Sequence, residues 1–537
     1  PKNRAFTVFQ GKLHFTHMHE IITIQFGHFP NFIGTHFWNT QEAYFLYDDY
    51  YGTASNSPEI SHDVLFRVGV TEGVGLETYT PRLIIYELKG GLGSMSRRNR
   101  LYDDSSMKVQ SLTKTWDWGI EKHVNEPYNK NEFLRDLEAE EETSTLPIEQ
   151  EAPTEEIIYN LEDSVKVWSD FNRVYYHPKT VNQINQYQFD DEFMPFDVFS
   201  YGQECFVQHE KEESTFDDNF RFFAEECDTI QGIQIFTDIL DGFGGFSCNF
   251  LEQLRQEYPK NAILTYGITN SQRLTSPQYS LEHYHKQTLN TAFSVVQLNE
   301  LSSFYVPLTT PVQESRIFKY IRPNLHLPYH SSAILSAAIE TTSLAFRLRH
   351  GFMSMIDLLG QLNWRGNTKI GNLDSAFPLC GDTDVESLLD DQTGLIEDLS
   401  IRVENEAKVA VFGQSIVLRG FPDSSASVSE IRSSILQKFE QSGCPKTLRL
   451  LINLINFKFE SHTTKLPYPI PNSYPQFFDH LNMTGYVDFD RYLNVLPQIN
   501  FNLYPQYGEG ARGLTQDSFV ELKEAMFDLC DIYEEES

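Results

Sequence analysis

Two glycine-centred stretches hold the residues best suited to chemistry. In the first, Gly27 and Gly34 bracket His28 and Asn31 just after an apolar β-prone run, Ile21–Ile24. In the second, Asp241-Gly242-Phe243-Gly244-Gly245-Phe246-Ser247 follows the alternating Ile233 and Ile235. A strand running through a glycine turn into a helix presents backbone N–H groups at a helix N-terminus, where phosphate binds readily. The candidate ligand-binding set is therefore Gly27, His28, Asn31, Gly34, Gly242, Gly244, Gly245 and Ser247. Neither stretch is the six-position dinucleotide fingerprint or the lysine-bearing P-loop. His28, Phe29, Phe243 and Phe246 are bulky where a phosphate needs close backbone approach, and Asp241 repels it unless Mg²⁺ intervenes. Two readings thus stand side by side: a nucleotide site, or a structural remnant whose glycines serve turns. Other chemistries find less support. His14, His17 and His19 cluster, and His283 and His285 flank Tyr284, but no second cluster has zinc-site spacing, so no metal is assigned. No Gly-x-Ser-x-Gly elbow is present and no catalytic residue is assigned.

The elements that must position these loops follow from periodicity. A strand ends at Gly27, and Phe37 and Trp38 fall on a helix after it. Tyr79–Leu88 reads as one buried strand before Gly90, Gly91 and Gly93. In the second stretch Phe250, Leu251 and Leu254 share a helical face that stops before Pro259, and Ile263–Tyr266 returns as a strand. That β-loop-α-β order implies parallel strands with a right-handed crossover and a ligand loop at the carboxyl end of a strand. Leu289–Leu298 and Glu521–Ser537 read as amphipathic helices, Val409–Leu418 as a strand, Val428–Gln441 as a helix and Leu448–Phe457 as an apolar strand. Glu132–Asp163 holds twelve acidic residues against Arg135 alone, with Pro147 and Pro153, and reads as a solvated insertion.

Read as continuous strings, these segments resemble tubulins. Glu20, Ile21, Gln25, Gly27, Asn31, Ile33, Gly34, Phe37 and Trp38 match the tubulin opening. Gln231-Gly232-Ile233-Gln234 and Arg255-Gln256-Glu257-Tyr258-Pro259 match the flanks of the tubulin glycine loop, and Glu87 takes the place of the acid beside the nucleotide. Residues 35–45, THFWNTQEAYF, are similar to the Misato family of tubulin-like proteins, tied to mitochondrial distribution and inheritance. The resemblance implies an α/β fold, a tubulin/FtsZ-like parallel sheet flanked by helices, over residues 18–365. An acidic insertion interrupts it at about 103–163, and a smaller α+β domain with an acidic tail follows over 366–537. It implies GTP or GDP, with Mg, as the open cofactor. The catalytic pattern is not matched: Ser354 and Ile356 stand where tubulins carry Asn and Asp, and Asp357 is one position out of register. Hydrolysis is not expected on that ground. The role implied is mitochondrial organisation, partitioning of mitochondria and mitochondrial DNA inheritance. The alternatives are a self-assembling GTPase and a cytosolic tubulin-folding or spindle-related adaptor. Partners implied are proteins: tubulin, chaperonin or mitochondrial surface factors, reached at the mitochondrial surface or in the cytoplasm.

Composition bounds the rest. The 537 residues suggest two or three domains. A net charge of −33, from 75 acidic and 42 basic residues, opposes direct nucleic-acid binding and adhesion to anionic lipid. Six scattered cysteines without a CxxC pair read as reduced thiols. No apolar run reaches the length of a membrane span, so any membrane association is peripheral. Residues 1–17 carry Lys2, Arg4 and Lys12 without an acid and read as an N-terminal extension or a presequence.

Overall fold

A computed structural model gives the architecture. It describes residues 20–45, 59–70, 77–95, 128–143, 159–275, 281–311, 321–349, 353–379, 397–400, 415–419, 460–464, 468–477, 484–490 and 516–534. The chain runs β1 (Glu20–Phe26), α1 (His28–Ala43), β2 (Phe66–Val70), β3 (Glu77–Pro81), β4 (Leu83–Lys89), α2 (Glu132–Thr143) and β5 (Val181–Gln188). Next come α3 (Phe199–Glu213), α4 (Arg221–Glu225), β6 (Ile230–Asp238), α5 (Gly242–Glu257), β7 (Ala262–Thr269), α6 (Ser271–Thr275) and α7 (Leu281–Leu301). Then follow β8 (Phe304–Thr309), α8 (Pro328–Ser343), α9 (Met355–Leu362), β9 (Asn372–Leu379) and β10 (Glu397–Asp398). The last are β11 (Ser415–Arg419), β12 (Glu460–Thr464), β13 (Thr484–Asp490) and α10 (Gln516–Glu534).

The central sheet has six parallel strands in the order β5-β4-β1-β6-β7-β8. Alternation along the strands divides two cores. Ile22, Ile24, Phe26, Ile233 and Ile235 pack with α3, α5 and α7, whereas Ile21 and Phe236 pack with α1, α8 and α9. The expected parallel α/β sheet with a β6-α5-β7 crossover is therefore present.

Two expectations meet a different outcome. Tyr79–Leu88 is broken at Arg82, whose buried guanidinium donates to Asp63 O at 2.6 Å and Phe66 O at 2.7 Å. β3 consequently pairs with β2 in a separate ribbon while β4 enters the sheet. The acidic insertion contains α2, started by Asn131 Oδ1, which accepts the Leu134 N–H at 2.9 Å, and anchored by Phe133 packed edge-on to Tyr159. Phe133, with Leu134 beside it, seats a helix rich in acidic residues; residues 103–127 and 144–158 lie outside the described ones.

The boundary expected at 365/366 is crossed by a single apolar cluster. The second sheet, β10-β9-β13-β11-β12, packs on α8. The segment 468–477 sinks Tyr468, Tyr474 and Phe477 into the α1/α8 core. There Tyr474 Oη donates to Ala333 O at 3.0 Å, and Tyr468 Oη lies 2.9 Å from Thr40 Oγ1. α10 returns to the opposite face of the central sheet, with Phe519 edge-on to Phe293 of α7. The expected strand at 409–418 is described only as β11; the helix at 428–441, the strand at 448–457 and residues 1–17 lie outside the described residues.

Between the sheets sits a buried charged joint. Glu340 of α8 accepts from Arg347 Nη2 at 2.6 Å, Tyr44 Oη at 3.1 Å and Gln41 Nε2 at 3.3 Å. Its other oxygen takes Arg419 Nη1 from β11. All three charged side chains are at most 1% exposed. Burial alone raises a carboxyl, but Arg419 and Arg347 hold Glu340 below its ordinary value.

Candidate functional site

The first glycine turn forms because Gly27 adopts φ 105°, a left-handed conformation that glycine tolerates. α1 then begins at His28, and the Asn31 N–H closes its first turn on Gly27 O at 3.0 Å. The polar groups of this turn converge on Glu87, which is wholly buried at the end of β4. Glu87 Oε2 accepts from His28 Nδ1 at 3.0 Å, Asn31 Nδ2 at 3.0 Å and Trp168 Nε1 at 2.8 Å. Its Oε1 accepts the Leu88 N–H at 2.9 Å. Gly91 lies against this carboxyl so closely that a Cβ there would fall 2.7 Å from Glu87 Cδ. The Gly90–Gly93 loop thus closes over a protein carboxylate. His28 is 18% exposed and its ring lies tilted against Phe189, centroids 4.1 Å apart. Gly34 sits deeper on α1, where a Cβ would meet the Gln25 side chain at 2.0 Å, so it permits the helix to lie on β1.

The second turn is organised by Asp241, the N-cap of α5. Its Oδ1 accepts the Phe243 N–H at 3.0 Å, the Gly244 N–H reaches Asp241 O at 3.2 Å, and the Gly242 N–H reaches Phe196 O at 3.0 Å. Three donors at this helix N-terminus therefore already have acceptors within the protein. Arg273 of α6 closes the arrangement, 3.0 Å from Asp238 Oδ2 and 3.5 Å from Asp241 Oδ2. The glycines face protein rather than open space. A Cβ on Gly245 would fall 1.9 Å from Phe199 O, one on Gly244 2.2 Å from Ser294 Oγ, and one on Gly242 2.9 Å from the Phe196 ring. Ser247 is buried, accepting from Thr237 Oγ1 at 2.9 Å and donating to Gly244 O at 3.0 Å, which ties α5 to β6.

The structure brings the two turns together. Phe243 is the residue at their meeting point, 3.1 Å from where a Gly27 Cβ would stand. Trp168 and Arg273 escaped sequence reasoning. Trp168 lies 81 residues from Glu87, with no local signal. Asp241 did carry one, since Asp immediately before a helix start is a preferred N-cap. At the opposite end of the sheet, Ser354 caps α9 by accepting the Asp357 N–H at 3.2 Å, and its hydroxyl donates to Asp357 Oδ2 at 2.5 Å. The acid nearest the tubulin catalytic position is thus engaged in starting a helix.

Asp238 and Asp241 share one arginine, and burial pushes both carboxyls up, Asp241 to about 8, with the Asp238 charge adding to it and Arg273 opposing. With 16% of Asp241 still exposed, solvent screens part of this. A carboxyl that ionises near 3.8 when unfolded but near 8 when folded makes folding take up a proton between those values. Its contribution is then least unfavourable in acid and worsens as pH rises through that window. Asp241→Asn keeps the cap and removes the titration. Between about pH 5 and about pH 8.5, wild type should lose at least ~1 kcal/mol relative to this variant, read by thermal melts. Parallel pH profiles for the two proteins would contradict the assignment.

Residues 159–348 match the tubulin domain, and residues 19–139 match the Misato segment II tubulin-like domain. The join between the two matches falls within the acidic insertion. Protein DML1 of Gibberella zeae is 31% identical over 529 residues, covering 96% of this chain and 97% of that protein. Protein dml1 of Aspergillus niger is 33% identical over 466 residues, 86% of this chain and 85% of its own. Protein misato homolog 1 of Danio rerio is 33% identical over 441 residues, 76% and 72% of the two chains. Full-length similarity of this kind, on a six-stranded parallel sheet with the tubulin order of motifs, places the chain in the DML1/Misato family of tubulin-like proteins.

Proposed function

We propose that this protein is a tubulin-shaped scaffold for mitochondrial organisation, acting in the partitioning of mitochondria and the inheritance of their DNA without turning over GTP. One observation carries the reading against nucleotide chemistry: Asp241, held by Arg273, occupies the α5 N-terminus where a phosphate would be received. A phosphate there would have to displace the Asp241 carboxyl from the Phe243 N–H and would meet the ring of Phe243. The mitochondrial role rests on the family resemblance. The protein works through protein partners, among them tubulin, chaperonin or mitochondrial surface factors, from the mitochondrial periphery and the cytoplasm. Among the described residues no helix is long and apolar enough to cross a membrane.

Two measurements test this. Purified protein is heat-denatured and the supernatant chromatographed; the expected result is guanine nucleotide far below one equivalent. Stoichiometric GTP or GDP would restore the nucleotide-site reading. Depletion in cells is expected to fragment or misdistribute mitochondria and lower mitochondrial DNA copy number; normal networks and copy number after complete depletion would remove the mitochondrial role. The GTPase alternative draws on Gly27 and on Asn31 Oδ1, a buried acceptor without a partner among the described residues. GTP-dependent pelleting, with filaments in the electron microscope, would favour it.

A further inference from the structure

At the amino ends of β7 and β8, opposite the α5 N-terminus, lies a cavity of about 340 Å³. It is walled by the end of α5, the α7–β8 turn and α9, and Arg255, Lys260 and Lys369 line it. Arg255 spends its guanidinium on neutral acceptors: Leu301 O at 2.5 Å, Asn261 O at 2.9 Å and Ser303 Oγ at 3.0 Å. Lys369 Nζ donates to Glu300 O at 2.8 Å. Among the described residues neither cation has a carboxylate at ion-pair distance, and Glu300 is the one acid among those lining the cavity. Burial lowers the pKa of both, and for Lys369 the Arg255 charge lowers it further, with Glu300 opposing. In a chain of net charge −33, Arg255 and Lys369 thus place two half-buried cations on one cavity, with Lys260 as a third at its edge.

We propose that this cavity binds a phosphate monoester dianion. A carboxylate neutralises one of the two half-buried cations, whereas a phosphate monoester carries nearly two charges and three acceptor oxygens. Arg255 and Lys369 keep N–H groups beyond those bonded within the protein, and exposed Lys260 adds a third cation at the mouth. The size suits a small group, since pockets for whole ligands start at roughly this volume. The phosphate comes either from a free phosphorylated metabolite or from a phosphorylated side chain of a partner protein. The net charge of the chain opposes a third source, an anionic membrane. The site is separate from the glycine loops and does not depend on the absence of nucleotide there.

Calorimetry on the full chain with O-phosphoserine, inorganic phosphate, a phosphoserine peptide and acetate tests it. Two variants leave the fold alone: Lys260→Gln changes an exposed side chain, and Gly360→Glu adds a carboxylate on α9 where a Cβ meets nothing within 4 Å. O-phosphoserine should bind wild type at one site, about tenfold more weakly in Lys260→Gln and not measurably in Gly360→Glu, with thermal melts of Gly360→Glu unchanged. Tighter binding of the peptide than of O-phosphoserine supports the proposal and assigns a protein source; equal binding supports it with a metabolite source. Three outcomes overturn it: no saturable binding up to about 10 mM, equal binding to wild type and Gly360→Glu, or acetate binding as well as O-phosphoserine.

Discussion

Replacing Glu340 with alanine is expected to lower the unfolding free energy by about 3–5 kcal/mol, a large share of the stability of a typical domain. The carboxylate bridges Arg347 and Arg419, both buried, so its loss takes a shared anion from two buried positive charges. Gln41 and Tyr44 lose an acceptor at the same time. Urea unfolding of Glu340→Ala, Arg419→Met and the double variant measures the coupling. The double variant should be less destabilised than the sum of the singles, because removing Arg419 relieves part of the repulsion that Glu340→Ala creates. Strict additivity would show that the two side chains do not act as a pair. Acid tells the same story: Glu340 is held below its usual pKa, so its stabilisation is present above the unfolded value and is lost as pH falls through the folded one.

The α3–α5 crossing gives the second large effect. Gly202 and Gly245 face each other's helices so closely that a Cβ would fall 1.6 Å from Gly242 O and 1.9 Å from Phe199 O. These neighbours are backbone, so the helices must separate and the Phe246–Phe206 packing between them must open. Gly245→Ala is expected to destabilise by at least ~3 kcal/mol, against a gain of about 1 kcal/mol from helix propensity. Gly244→Ala is the internal control. Its Cβ meets the hydroxyl of Ser294, a side chain able to turn away, so the loss should stay below ~1.5 kcal/mol. If both substitutions left stability intact and changed only nucleotide affinity, the glycines would serve a phosphate after all.

That contrast also marks what sequence could and could not reveal. The strand-turn-helix units around Gly27 and Gly242 were legible because apolar period and glycine position are local signals. So was the parallel sheet, through the β6-α5-β7 crossover. What a glycine is near is not local. Gly245 and Phe199 are distant in the chain, and a backbone needing room for a helix looks, in one dimension, like a backbone needing room for phosphate. The acid clusters around Glu87 and Glu340 stayed hidden for the same reason, with partners 81 and 79 residues away. The 468–477 segment, dense in prolines and tyrosines, carries no helical or strand period in its sequence that announces burial. It is core because each tyrosine hydroxyl finds an acceptor or a partner hydroxyl.

The Glu340–Arg419 joint also sets a timetable for synthesis. Glu340 leaves the ribosome 79 residues before the arginine that neutralises it. At roughly 5–20 residues per second, the central sheet waits about 4–16 s with an acidic residue of α8 lacking one of its two cations. Tyr468, Tyr474 and α10 arrive later still, leaving the apolar positions they cover on α1, α8 and α7 exposed in the interval. A nascent chain in that state exposes apolar surface until its final helix is made, and its safe passage calls for a holding chaperone rather than for faster folding.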